Sequence, residues 1–119
     1  MYVDGFVIPV PNDKRDAYRE LARKSWEVFK ELGAIRQVEC WADDVPDGKV
    51  TDFRRSVKAE AGETIVFAWI EYPSKEVRDE VNRKMQEDPR MEEMLKAGIP
   101  FDGKRMIFGG FRPMLDEHR

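Results

Sequence analysis

Thr64-Ile65-Val66-Phe67-Ala68-Trp69-Ile70-Glu71-Tyr72 alternates as a strand that is apolar on both sides: Ile65, Phe67 and Trp69 on one, Val66, Ala68, Ile70 and Tyr72 on the other. A strand of this kind is covered on both faces. The segments around it must therefore supply two layers.

Upstream, Tyr2 to Val10 reads as a strand that Pro9 and Pro11 bring to a stop. Asn12 offers an N-cap to an amphipathic helix over residues 13–32. Its stripe is Tyr18, Leu21, Ala22, Val28, Phe29 and Leu32, with Trp26 beside it, and Gly33 ends it. Ala34 to Ala42 forms a second strand, with Ile35, Gln37, Glu39 and Trp41 on one side and Ala34, Arg36, Val38 and Cys40 on the other. Both of its faces are mixed, so parity does not say which one meets the helices. Residues 43–49, rich in Asp, Pro and Gly, form an exposed loop. Thr51 or Asp52 caps a short helical turn over Phe53 to Ala59.

Downstream, Pro73-Ser74 opens a helix with Val77, Val81 and Met85 one turn apart, and Asp88-Pro89 opens a shorter one that Gly98 closes. Asp102-Gly103 turns the chain into a last strand, Lys104 to Phe111, where Gly109-Gly110 signals a bulge or a close backbone approach. The order strand, helix, strand, strand, helix, strand is the ferredoxin-like split βαβ arrangement, an α+β fold with one four-stranded antiparallel sheet and helices on one side. The two-faced central strand then needs cover from outside the domain. A second copy of the chain is the economical choice, so a homodimer is expected.

With 119 residues and 41% hydrophobic content, the chain makes a single domain over 1–119. The longest apolar run, Ile65 to Ile70, is far short of the roughly 20 residues that span a bilayer, and no basic-then-apolar leader opens the chain. One cysteine, Cys40, forms no internal disulfide and is expected as a small buried hydrophobe. A cytoplasmic protein without membrane partners is expected. The net charge of −3 argues against a surface committed to nucleic acid.

The run Phe101 to Phe111, together with Asp88-Pro89-Arg90-Met91 and with Thr51-Asp52-Phe53 ahead of Val66 to Ile70, resembles the YbaA-like family of small bacterial proteins. That resemblance implies the dimeric α+β barrel group, in which two sheets meet face to face. It implies no particular reaction. Proteins of that architecture include cofactor-free monooxygenases, haem-degrading enzymes and lactone isomerases, which gives an analogy of fold only.

The chain carries none of the metal-ligand, nucleotide-binding or nucleophile-elbow motifs, so neither a metal nor a cofactor is expected. Its candidate catalytic groups are Glu39 and Glu71, carboxylates set among apolar strand residues where burial disfavours the charge and favours a general base. Trp41 and Trp69 are the candidate ligand-binding walls. All four are expected to line one small-molecule space between sheets, with Glu39 and Trp41 sharing a face. The alternative is a non-catalytic protein- or RNA-interaction module on the charged 43–63 segment, where Lys49, Arg54, Arg55 and Lys58 sit among acidic residues.

Overall fold

The computed structural model describes all 119 residues. Strand β1 (Tyr2–Pro11) leads through a single 3-10 turn (Asn12–Lys14) into α1 (Arg15–Leu32). Then follow β2 (Arg36–Trp41), a short α2 (Phe53–Ser56), β3 (Glu63–Tyr72), α3 (Lys75–Glu87), α4 (Pro89–Lys96) and β4 (Ile107–Phe111). The strands lie in the order β2-β3-β1-β4, every pair antiparallel, so the two central strands belong to opposite halves of the chain. This is the expected ferredoxin-like α+β sheet.

The register assigns the faces. Tyr2, Asp4, Phe6, Ile8 and Val10 of β1 share a side with Val66, Ala68, Ile70 and Tyr72 of β3, and helices cover that side. One core cluster joins Tyr2, Ile70 and Tyr72 to Val28 of α1 and to Val81 and Met85 of α3; another joins Ile8, Val10, Val66 and Ala68 to Tyr18. The opposite side carries Val3, Val7, Phe67, Trp69, Ile107 and Phe111. Phe53 of α2 reaches it, meeting Phe67 edge-on with ring centroids 6.1 Å apart.

Three local readings change. Asn12 does not cap α1: its side-chain oxygen accepts from the Thr64 hydroxyl, and the helix is entered through the 3-10 turn instead. The last strand begins at Ile107 rather than Lys104, because Arg105 is held in a turn by Glu63, by Asp102 and by the Lys58 carbonyl. Cys40 is exposed on β2, whose outer edge has no neighbouring strand. The cap on α2 is Asp52, which accepts from the Arg55 N–H at 2.7 Å.

Candidate functional site

Two concave regions hold the candidate residues, one on each side of the sheet. On the open side, a groove of about 620 Å³ is lined by Val3, Val7, Phe67, Trp69, Glu71, Ile107 and Phe111, among others. Gly5 and Gly109 pair across β1 and β4 at its floor, and the Phe111 ring lies over both; a Cβ on either would stand 3.5–3.6 Å from it. Phe67 and Phe111 are 46% and 62% exposed, unusual for phenylalanines on a regular sheet face. Glu71 is the groove's carboxylate. It accepts from the Trp69 indole N–H at 3.0 Å and faces the Arg36 guanidinium at 3.6 Å, so its charge is matched and the indole is oriented.

On the helix side, α1 and the outer edge of β2 enclose a groove of about 590 Å³. Helical spacing brings Arg15, Tyr18, Arg19, Ala22 and Trp26 to one wall, and Gln37, Glu39 and Trp41 come from β2. The Tyr18 hydroxyl donates to Glu39 Oε1, while Gln37 Nε2 donates to Glu39 Oε2 at 3.4 Å and to the Ala22 carbonyl at 3.2 Å. Desolvation by the packed surroundings pushes the Glu39 carboxyl above its ordinary range, against the lowering effect of the bonds from Tyr18 and Gln37. Burial, and then the neighbouring Glu39 charge, push the Tyr18 phenol well up. Behind this trio lies a smaller cavity of about 160 Å³ that Tyr18, Gln37 and Glu39 also line.

Glu39 and Trp41 thus share a face, as strand periodicity requires, but that face is turned to α1 and not to the open side of the sheet. The register is the reason: Glu39 stands opposite Ala68 and Trp41 opposite Val66, both helix-side residues of β3. Trp69 and Glu71 occupy the other side. The single lining expected for all four is therefore divided between two grooves.

The sequence reading missed Tyr18 and Gln37 as polar partners, having placed Tyr18 in an apolar stripe. Asp4, a further carboxylate that the sequence places on the first strand, sits in a buried cluster whose other members were not foreseen. Burial raises the Asp4 carboxyl above its usual range, more than the Arg78 charge and the adjacent Tyr72 and Asn82 side chains lower it. Arg78 Nε lies 3.3 Å from Asp4, and its Nη2 donates to the Tyr2 hydroxyl at 3.0 Å. The 43–63 segment is internally tied: Arg54 donates to the Glu63 and Glu60 carbonyls, and Arg55 to those of Gly48 and Lys49. No cluster of three His, Cys, Asp or Glu side chains is placed to hold a metal ion. No helix is long and apolar enough to cross a membrane.

Residues 1–103 match the model of a family described as "Protein of unknown function (DUF1428)". The chain is 67% identical over 116 residues to the "Uncharacterized protein YbaA" of Escherichia coli K12, covering 98% of each. Among solved structures it is similar to a dimeric ferredoxin-like protein from an uncultured marine organism, at TM-score 0.68 and 12% identity over the whole of both chains. It is also similar to a putative antibiotic biosynthesis monooxygenase from Nitrosomonas europaea, at TM-score 0.51 and 12% identity, covering 95% of this chain and 89% of that one. At such identities these likenesses concern the ferredoxin-like fold alone.

Proposed function

The chain belongs to the DUF1428 family, and on that premise we propose that it works as a cytoplasmic homodimer whose sheets meet on their open faces and hold an apolar small molecule between them. The observation that carries this reading is the open side itself. Val3, Val7, Phe67, Trp69, Ile107 and Phe111 form one apolar surface on a chain that is 38% charged residues, with Glu71 as its fixed polar point. A face with that composition is stabilised by excluding water, and a second copy presents a matching one through a twofold axis. The dimeric state of the marine ferredoxin-like protein agrees with it.

In this arrangement Trp69 forms a wall of the ligand space and Glu71 is the group that accepts or returns a proton. Monooxygenase-like or isomerase-like chemistry follows from analogy of fold alone. An interaction module on residues 43–63 is less well supported, because Arg54 and Arg55 are already engaged with backbone carbonyls of their own loop.

Sedimentation equilibrium at micromolar concentration tests the assembly. The expected mass is twice the 14.0 kDa of the chain, and Phe67→Asp should yield a monomer, since burying an unpaired charge at the interface costs about 3–5 kcal/mol. A folded wild-type monomer under those conditions would contradict the proposal. Native mass spectrometry of the dimer purified from cells should in addition detect a retained small molecule, lost in Trp69→Ala.

A further inference from the structure

The groove between α1 and β2 plays no part in that dimer, and its polar groups are arranged for something the chain itself does not provide. We propose that it binds a small planar aromatic anion that carries a hydroxyl or N–H donor on its ring, opposite the anionic group.

The cationic end comes first. Of the α1 residues on this wall, Arg23 is paired with Glu20 at 2.6 Å, whereas Arg15 and Arg19 make no ion pair. They lie four residues apart, one turn along the rim, and a guanidinium is the side chain best shaped to take a carboxylate through two parallel bonds. Arg15 is also held over the Trp41 ring, 5.6 Å from its centroid, so the cation and the aromatic surface are presented together.

The β2 side of the groove has the opposite character. Gln37 Oε1 is buried and has no hydrogen-bond partner. Turning the amide over does not remedy this, because the oxygen would then face the Ala22 carbonyl and the Glu39 carboxylate, two acceptors now served by Nε2. The orphan acceptor is thus imposed by its neighbours, but it has no surface open to the groove, so the acceptor within reach of a bound molecule is the Glu39 carboxylate. Glu39, an exposed residue of β2, stands beside it, and its Oε2 takes only the 3.4 Å bond from Gln37. A carboxylate on the β2 side calls for a donor, and its negative charge repels a second anion.

The indoles of Trp26 and Trp41 also line the groove and give it aromatic surface for a ring. The volume of about 590 Å³ falls within the range of small-molecule sites. Cations on α1, two indoles and a carboxylate on β2 disfavour both a polyanion and a wholly apolar ligand.

The three tryptophans make the test direct, because Trp26 and Trp41 flank this groove while Trp69 reports the open sheet face. Indole N–H resonances of ¹⁵N-labelled protein, assigned by single Trp→Phe variants, are followed while 4-hydroxybenzoate is added. The expected result is saturable movement of the Trp26 and Trp41 signals with a Kd at or below about 1 mM and a stationary Trp69. Arg15→Ala/Arg19→Ala, at two exposed positions whose loss leaves the fold intact by circular dichroism, should weaken binding about tenfold or more. Benzoate, which lacks the donor, should bind at least about fivefold more weakly. Non-saturating shifts, a Trp69 signal that moves in step with the other two, or equal binding by the double-arginine variant would each overturn the assignment. None of those results depends on whether the chain dimerises through its sheet.

Discussion

Two buried carboxylates show how neighbours decide the sign of a perturbation. Glu63 receives both guanidinium nitrogens of Arg105 at 2.7 Å, and those bonds hold its carboxyl below the usual range. Asp4, with a single approach from Arg78 at 3.3 Å, is instead raised because burial outweighs that charge. Their effects on pH-dependent stability are therefore opposite. The Glu63 contribution is present above its unfolded value near 4.5 and is lost as pH falls through its lower folded value; the Asp4 contribution is present below 3.8 and is lost as pH rises through its higher folded value. Urea unfolding across pH 3–7 should show Glu63→Gln less stable than wild type near neutrality, with the gap closing in acid. Over the same range, wild type should lose ground to Asp4→Asn as pH rises. Gly110 marks a different kind of constraint: a Cβ there would lie 2.0 Å from Arg78 Nη2 and 2.5 Å from the Tyr2 hydroxyl. The guanidinium end is mobile in principle but cannot retreat without leaving Asp4. Gly110→Ala should accordingly cost about 1–3 kcal/mol in the same unfolding experiment. The close approach was legible in the Gly109-Gly110 pair, but its partners, Tyr2 and Arg78, were not, since they come from the far end of the sequence and from a helix.

At the scale of elements, β3 was readable because every position along it is constrained by what covers it, whereas β2 was not. Its register against β3 alone determines that Gln37, Glu39 and Trp41 turn toward α1, and no property of residues 34–42 by themselves contains that information. The late start of β4 has the same origin, as Arg105 is drawn to Glu63, 42 residues away in sequence. The α2 region behaves as a self-tied connection. Each bond from a guanidinium to a carbonyl contributes about 0.5–1.5 kcal/mol, and Arg54 makes two, to Glu63 at 2.7 Å and to Glu60 at 3.0 Å. Arg54→Ala should destabilise the fold by about 1–3 kcal/mol. RNA binding at physiological salt should be weak in wild type and unchanged, in affinity and in salt slope, when Arg54, Arg55 and Lys58 are all replaced by Ala. Tight wild-type binding lost in the triple variant would show those side chains to be free after all.

For the molecule as a whole, the proposed pairing of open sheet faces would make stability depend on concentration. If the dimer is the folded unit, its thermal midpoint should rise with protein concentration by mass action, and the Phe67→Asp chain should show no such dependence. Scanning calorimetry over a hundredfold concentration range is sufficient to see it. The strand order carries one more consequence, for the time course of synthesis. The first strand to be made is a central one: Tyr2 pairs with Tyr72, and Val3 pairs with both Glu71 and Phe111. During translation β1 and α1 leave the ribosome with neither sheet partner of β1 available, and at roughly 5–20 residues per second the last partner follows the first strand by about 5–20 s. Over that interval the apolar residues of β1 are exposed to the cell, and the sheet closes late, through contacts distant in sequence that are intrinsically slow to form. A nascent chain stalled between β3 and β4 would display β1 with one edge paired and the other open, the state in which this protein is most vulnerable to chaperone capture or aggregation.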